Sequence, residues 1–174
     1  MTRARAWCAL LCLASAACRS EKPASPTDVV MRLLTMRDAL GVRAVPTAHE
    51  LAALAPFLSD SLTQALASGD SLRAAETKRT PGEKPSFADG DVFSSLFEGP
   101  TAFRVMPALE STAPIRVPIE FTNDAQRPAV RWTDTAVVVQ HSGKWVVNDL
   151  RYGATWPFAN KGTLRLTLHV SRTP

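Results

Sequence analysis

The sequence predicts a single α+β domain, in which N-terminal helices pack on a curved, mainly antiparallel sheet of about five strands. Three observations indicate this class. Apolar residues recur at helical spacing up to about residue 78, and from Thr101 onward they alternate with polar residues at a spacing of two. The stretch Arg131–Gly153 consists of two β-rich runs joined by a two-residue break. The chain has 174 residues, 45% of them hydrophobic, which is enough for one buried core.

Helices are predicted over residues 26–40, 48–55 and 60–78. Each begins after a residue whose side chain can accept a hydrogen bond from the first turn, namely Ser25, Thr47 and Ser59. The two prolines and one glycine of Thr80–Ser86 favour a loop after the third helix. The N-terminal half of the domain is therefore expected to be helical.

A short amphipathic turn is predicted after this loop, because Phe93 and Phe97 stand four residues apart and Gly99 ends the segment. Asp89 and Asp91 at its start are typical of helix capping. A calcium loop would need a third ligand and a closing glutamate at EF-hand spacing, and the sequence has neither. No metal site and no cofactor are therefore predicted.

Strands are predicted over residues 102–106, 115–122 and 163–170, in addition to the two strands of the hairpin. In the last of these segments apolar residues occupy every second position: Leu164, Leu166, Leu168 and Val170. Pro118 interrupts an earlier strand and indicates an edge or a bulge there. Such alternation predicts strands with one face on the core and one face in water.

The hairpin has a defined register if residues 142–143 alone form its loop. Counting outward along both strands then places Ala136 opposite Asp149 and Asp134 opposite Arg151. Both faces of this hairpin are partly apolar, so it is expected to lie within a larger sheet. A bulge in the loop would shift the register by one residue.

Residues 1–17 are predicted to be an export signal peptide. They contain a basic start with Arg3 and Arg5, an apolar run over residues 6–14 and small residues directly before Cys18. The apolar run is shorter than the roughly 20 residues that a membrane-spanning helix needs. The chain is thus divided into a signal peptide, an anchor cysteine with a short tether, and one domain: residues 1–17, 18–25 and 26–174.

The small residues before Cys18 resemble the lipobox of bacterial lipoproteins, in which the cysteine carries lipid and becomes the first residue of the mature chain. The resemblance implies lipidation of Cys18 and a membrane-anchored lipoprotein, at the outer membrane or the periplasmic face. In that family a larger aliphatic residue usually stands where this chain has Ser15. Ordinary cleavage after Ala17, which would give a secreted or periplasmic protein with one free thiol, stays open as the alternative.

Charge and cysteine content exclude several classes of protein. The formal net charge of +4 falls to +2 when residues 1–17 are removed, because they contain two arginines and no acid. The remaining basic residues stand singly, without interleaved aromatic residues, which argues against a nucleic-acid surface. All three cysteines lie in the first eighteen residues, so the domain can form no internal disulfide and no cysteine-based zinc site.

The order of elements, with helices first and antiparallel strands after, is similar to the cone-shaped fold shared by nuclear transport factor two and ketosteroid isomerase. The segment Gly143–Tyr152 resembles a strand common in that superfamily, with a glycine, a tryptophan and an aspartate among aliphatic residues. Pro85–Pro100 resembles a segment of bacterial exported domains of unknown function that share the cone. The resemblance implies a cone, which hosts enzymes, binding proteins and inert scaffolds alike.

Asp149 is the candidate catalytic residue, because an isomerase-like cone needs an acid or a base in its pocket. The predicted register places Asp149 on one face with Trp145, Val147 and Ala136, where desolvation would raise the pKa of its carboxyl group. The alternative is a structural ion pair with Arg151, one step along the same face. The structural interpretation is favoured.

Four aromatic residues are candidates for contact with a ligand or a partner, with a place in the core as their alternative: Trp132, Trp145, Trp156 and Phe158. The sequence contains no recognisable Ser-His-Asp or Cys-His set, phosphate loop or zinc spacing. The three histidines are expected to lie at the surface.

The function expected from these observations is that of a non-catalytic binding or interaction module of the cell envelope. The expected partner is an envelope protein or a small apolar ligand. The membrane is contacted only through the lipid anchor, and a homodimer stays open. The alternative is a cone-fold enzyme of the isomerase, cyclase or hydrolase type, which would use an acidic residue in a pocket lined by the sheet.

Overall fold

A computed structural model describes residues 25–170. The predicted signal peptide, Cys18 and the tether up to residue 24 lie outside the described residues. The elements in chain order are α1 (Pro26–Ala39), α2 (Ala48–Leu54), a 3₁₀ turn (Ala55–Phe57), α3 (Asp60–Arg79), β1 (Ala102–Val105), β2 (Ile115–Asn123), β3 (Val130–His141), β4 (Lys144–Arg151) and α4 (Leu164–Val170).

The strands form one antiparallel sheet in the order β1-β2-β3-β4. Helices and a sheet in one chain confirm the predicted α+β class. In the described part of the chain the sheet has four strands, one fewer than the sequence predicts, because the last predicted strand is helical. None of the helices between residues 25 and 170 is both long enough and apolar enough to cross a bilayer.

The predicted caps form at the first three helices. Ser25 Oγ accepts a hydrogen bond from Asp28 N at 3.0 Å, and Ser59 Oγ accepts one from the third residue of α3 at 3.2 Å. Thr47 and Glu50 form a reciprocal capping box at α2. Since the first backbone N–H groups of a helix have no partner within it, these side chains explain where each helix begins.

One face of the sheet, here called the inner face, carries the core. Alternate residues of β2 are buried on it: Ile115, Val117, Ile119 and Phe121. Helix α1 contacts all four strands, and its Leu33 and Leu34 are buried. Helices α3 and α4 contact β4, at one side of the sheet. Side chains of the chain itself therefore fill the inner face.

The opposite face, here called the outer face, carries the exposed and half-buried alternate residues of β2 and β3. Among the described helices, α1 makes the extensive contacts with β1, β2 and β3, and it does so on the inner face. The outer face of these three strands is consequently open to solvent.

A bulge in β4 shifts the hairpin register. The pairs nearest the loop are those predicted, but the residue between Val147 and Asp149 has no partner in β3, so Asp149 lies opposite Val137 rather than Ala136. Because side chains alternate between the two faces of a strand, Asp149 has the register of the outer face and Val147 that of the inner face. The prediction that Asp149 shares a face with Val147, Ala136 and Trp145 is wrong.

The same shift separates Arg151 from Asp134. Arg151 lies opposite Thr135, and Asp134 is buried on the inner face. The predicted position of Arg151 opposite Asp134 is wrong, since a shift of one residue moves the side chains of a strand to the opposite face.

The last predicted strand is α4. Leu164 and Leu168 are buried, whereas Leu166 is 53% exposed. Over seven residues, leucines at every second position fit the i, i+4 spacing of a helix as well as the alternation of a strand. The helix is stabilised at its start by Thr163 Oγ1, which accepts a hydrogen bond from Leu166 N at 3.2 Å, and farther along by close packing of Leu168 on Gly69 of α3.

Alanine substitutions distinguish the helix from the strand. We expect Leu168→Ala to lower the free energy of unfolding by about 2–5 kcal/mol, because it leaves a cavity between α3 and α4. We expect Leu166→Ala to change it by less than about 0.5 kcal/mol, because that side chain is largely exposed. Urea unfolding measures both values. Equal costs for the two variants would mean that both leucines lie on one buried strand face, contrary to the structure.

Candidate functional site

Two buried carboxylates, Asp91 and Asp134, define the candidate site. Residues 90–99 form a segment without regular secondary structure, which we call the inner loop. Asp91 belongs to this loop, and Asp134 accepts hydrogen bonds from it. Its residues Phe93, Ser94 and Ser95 are fully buried. A buried irregular segment needs partners for its backbone polar groups, and side chains from distant parts of the chain supply them.

The inner loop replaces the predicted amphipathic turn. Phe93 is fully buried and Phe97 is 48% exposed, so the two rings do not share one helical face. Asp91 N donates a hydrogen bond to Phe97 O at 2.7 Å, and Asp91 Oδ1 accepts one from Phe93 N at 2.7 Å. Asp91 thus bonds its neighbouring backbone as predicted for a capping residue, but it closes a loop instead of starting a helix.

Arg37 of α1 forms a fully buried ion pair with Asp91 of the inner loop. Arg37 Nη2 donates a hydrogen bond to Asp91 Oδ2, and the guanidinium lies 5.8 Å from the centre of the Phe93 ring. Burial raises the pKa of Asp91 to about 6, although the positive charge of Arg37 opposes this rise. The carboxyl group is therefore ionised at pH 7 and neutralises a guanidinium that has no access to water.

Asp134 of β3 accepts four hydrogen bonds. Its Oδ2 accepts from Ser95 N at 2.7 Å and from Trp132 Nε1 at 3.1 Å. Its Oδ1 accepts from Ser95 Oγ and from Gly153 N at 2.8 Å. Burial raises the pKa of Asp134, and hydrogen bonds from Ser95 and Gly153 oppose the rise. With both oxygens engaged by the protein, this carboxylate joins the sheet to the inner loop.

Two residues after β4 complete the contacts of the inner loop. Asn160 Nδ2 donates hydrogen bonds to Asp91 O at 3.0 Å and to Ser94 O at 2.8 Å. Tyr152 OH donates one to Val92 O at 2.6 Å, and burial raises the pKa of Tyr152 above its usual range. The tyrosine is therefore a neutral donor at physiological pH, as its structural role requires.

A surface groove of about 380 Å³ borders the inner loop. Phe97 forms part of its lining, and the ring packs so closely on Gly90 that a Cβ at that residue would lie 2.2 Å from Phe97 Cε2. Lys84 and Asp89 form an ion pair of 2.6 Å among the lining residues. Asp91 also belongs to the lining, which makes it the buried acid nearest to a ligand in this groove.

Asp149, the candidate catalytic residue, accepts hydrogen bonds from the backbone of the protein. Its Oδ1 accepts hydrogen bonds from Arg165 N at 3.1 Å and from Leu150 N at 2.9 Å. Arg165 lies in the first turn of α4, where a carboxylate offsets the unpaired N–H groups and the helix dipole. Asp149 is not among the residues that line the four grooves described for this chain. The structure therefore gives it a capping contact and places it outside these four grooves.

Three of the four candidate aromatic residues lie together. Ring centres are 5.9 Å apart between Trp132 and Trp156 and 6.1 Å apart between Trp156 and Phe158. The row runs from the buried Trp132 to Phe158, which is 74% exposed. Trp145 does not belong to this row and packs half-buried against the core. The row closes one edge of the core and presents Phe158 at the surface.

The outer face carries the largest of the described grooves, of about 660 Å³, over β1, β2 and β3. Its lining includes the outer-face residues Ala102, Arg104, Glu120, Thr122, Arg131 and Thr133. The sequence analysis did not single out these residues. Alternation in β2 and β3 shows that each strand has a polar face, but only the pairing of the strands shows which of these side chains are neighbours.

No group of three or more histidine, cysteine, aspartate or glutamate side chains suited to a metal ion occurs within residues 25–170. His141 Nε2 lies 3.6 Å from Asp60 Oδ2, and both side chains are largely exposed.

Comparisons with models of protein families, with curated proteins and with solved structures find no match for this chain. The resemblance to the cone superfamily stays a prediction.

A double-mutant cycle measures how far the fold depends on the buried ion pair. We expect Arg37→Met and Asp91→Asn each to lower the free energy of unfolding by about 3–5 kcal/mol, because the first leaves a buried carboxylate without its cation and the second leaves the buried guanidinium only the partly exposed Asp38, at 3.3 Å. The double variant should lose less than the sum by about 1–3 kcal/mol. Urea unfolding at pH 7 gives all four corners of the cycle.

The exposed pair of Arg104 and Glu120 provides the control for this cycle. Arg104→Met and Glu120→Gln should each cost less than about 1 kcal/mol, since an exposed ion pair contributes little. Costs below about 1 kcal/mol for the buried pair as well would contradict its assigned role.

Substitutions at Asp149 test its capping contact. We expect Asp149→Ala to cost about 1 kcal/mol of unfolding free energy, because it removes the acceptor for Arg165 N. Asp149→Asn should cost less, since an amide oxygen can still accept this hydrogen bond. Arg151→Ala should cost less than about 0.5 kcal/mol, because its side chain is exposed. Thermal melts of the three variants measure these losses of stability. Equal losses of stability for Asp149→Ala and Arg151→Ala would indicate an ion pair between the two residues instead of a capping contact.

Proposed function

We propose that this protein is a non-catalytic binding module, held at a membrane of the cell envelope by lipid on Cys18. The proposal of a non-catalytic module rests on the contacts that the two buried carboxylates already make within the protein. Arg37 and the backbone of the inner loop engage Asp91, and four donors of the protein engage Asp134. A catalytic acid or base needs a free position within hydrogen-bond reach of its substrate.

The filled inner face supports the same proposal. A cone-fold enzyme would bind its substrate in a pocket lined by the sheet. Here Leu33 and Leu34 of α1 and the buried Phe121 of β2 belong to one continuous core on that face. Binding would then take place on the outer surface, where partners of a non-catalytic module are usually recognised.

The proposed anchor is supported by the residues before Cys18 and by the length of the tether. The small residues 15–17 before Cys18 resemble the lipobox of a lipoprotein export signal, with Ser15 in the place of the usual larger aliphatic residue. Residues 19–24 reach roughly 20 Å when fully extended. A lipid on Cys18 would thus hold the domain close to the lipid headgroups, at a distance suited to partners in the same membrane.

A cone-fold enzyme is the second candidate, and one observation favours it. Asp91 belongs to the lining of the groove beside the inner loop, and burial raises its pKa to about 6, a value suited to general acid–base chemistry near neutral pH. We rank this candidate second because the Asp91 carboxylate already has partners within the protein for both of its oxygens.

Cell fractionation tests the anchor. We expect the wild-type protein in the membrane fraction and Cys18→Ser in the soluble fraction, because serine cannot carry the thioether-linked lipid. Cys12→Ser is the matched control, since it removes a thiol from the signal region and leaves Cys18 in place. It should fractionate as the wild type does. Retention of Cys18→Ser in the membrane fraction would refute the proposed anchor.

A further inference from the structure

The strand register defines which side chains meet on the outer face. Residues paired across neighbouring strands form rows, and three rows lie at the end of the sheet where β1 and β3 begin. The rows are Ala102–Thr122–Arg131, Arg104–Glu120–Thr133 and Pro118–Thr135–Arg151. We call these nine residues the arginine platform. Its side chains are exposed or half-buried.

The arginine platform has an excess of positive charge. It contains three arginines and a single acid, Glu120, which pairs with Arg104. Arg131 and Arg151 are exposed and form no ion pair with any residue between 25 and 170. Two guanidinium groups on an open sheet face are thus available to a negatively charged partner.

The other end of the outer face lacks this excess. There Arg116 pairs with Glu110, and the formal charges of the exposed Lys144 and of Asp149 cancel among the remaining outer-face positions. The positive charge is therefore concentrated on one part of the face, the part that also carries the groove of about 660 Å³. Arg104 and Arg131 line this groove, and Arg151 belongs to the row outside it. Most of the charge of the platform therefore coincides with the concave part of the face.

The spacing of the free arginines fits an extended polypeptide. Arg131 and Arg151 lie one strand and four residues apart, so their Cα atoms are separated by roughly 14 Å, given about 4.8 Å between strands and about 3.4 Å per residue. In an extended chain, residues i and i+4 lie on one side and are also roughly 14 Å apart. Carboxylates at these positions would reach both guanidinium groups at once.

The threonines of the platform can form hydrogen bonds with a partner, and its single acid would repel part of a uniformly negative surface. The hydroxyl groups of Thr122, Thr133 and Thr135 can donate to or accept from the backbone of a bound segment. Glu120 stands in the middle row, where it would repel a continuous anionic surface. A segment whose acidic residues stand four apart, with a neutral residue midway between them, can place that neutral side chain over the row of Glu120, which favours a polypeptide over a membrane.

We propose that the arginine platform binds an extended acidic segment of a partner protein. This inference rests on the proposed function as a binding module and names the chemistry of its partner. Bidentate contacts between arginine and carboxylate provide the recognition, and the threonine hydroxyls orient the backbone.

The test uses the purified full-length protein and a fluorescent ten-residue peptide with Glu at every fourth position and Ser elsewhere. Fluorescence anisotropy measures binding at low salt, and the same peptide with Gln in place of Glu is the neutral control. We expect the acidic peptide to bind and the neutral peptide to bind at least about 10-fold more weakly. Added salt should weaken binding, because the contacts are exposed to solvent.

Three variants distinguish recognition by the platform from a general effect of the net charge of the protein on binding. The double variant Arg131→Gln, Arg151→Gln should weaken binding by about 10-fold or more. Arg116→Gln removes one positive charge from the same face outside the platform and should change binding by less than about 2-fold. Glu120→Gln should strengthen binding by about 3-fold or more, because it removes the repelling charge and releases Arg104. Thermal melts should show that all of them fold, since the replaced side chains lie at the surface.

Several outcomes would overturn the proposal. Binding that is equal for the acidic and neutral peptides, or unchanged in the double variant, excludes recognition by the platform. Vesicles of phosphatidylcholine with 30% phosphatidylglycerol form a separate arm, and binding to vesicles without binding to the peptide would identify a membrane surface as the occupant instead. If the peptide fails while Cys18→Ser still releases the protein from the membrane, the inference fails and the anchoring part of the proposed function stands.

Discussion

The buried ion pair between Arg37 and Asp91 is the interaction on which the arrangement of the chain depends. It joins the last turn of α1 to the inner loop, and Asn160 holds the backbone of Asp91 from the C-terminal side. Three parts of the chain that are distant in sequence therefore meet at one charged pair. A buried guanidinium is tolerable only when its counter-charge is in place, so the helix, the loop and the segment after β4 must adopt their positions together.

Asp134 joins the sheet to the inner loop, as the pair of Arg37 and Asp91 joins α1 to it. Three of its four hydrogen bonds connect β3 to Ser95 of the inner loop and to Gly153 after β4, and the fourth comes from Trp132 of β3 itself. Because these polar groups satisfy one another, the inner side of the sheet is occupied by structural contacts. The side chains available to other molecules therefore lie at the surface, and among them we place the function on those of the outer face and of the edge that ends at Phe158.

The sequence analysis singled out several candidate residues but misjudged the face of the sheet on which Asp149 lies. Trp132, Trp156 and Phe158 form one row as candidates for a shared surface, whereas Asp149 caps α4 and lies in none of the described grooves. The error at Asp149 follows from one bulged residue in β4. A regular count along a strand cannot reveal a bulge, because the extra residue is compensated by contacts elsewhere in the fold.

Local chemistry by itself determined the helix starts at Ser25, Thr47 and Ser59, the position of the hairpin loop and the α+β class, since capping and turn formation depend on neighbouring residues. The form of residues 164–170 was decided only by tertiary structure, because seven residues with alternating leucines fit a helix and a strand equally well until Leu168 packs on Gly69. The partners of Arg37, Asp91 and Asp134 and the rows of the arginine platform were decided in the same way. Each of them joins residues that are far apart in the chain, and such contacts exist only once the elements have packed.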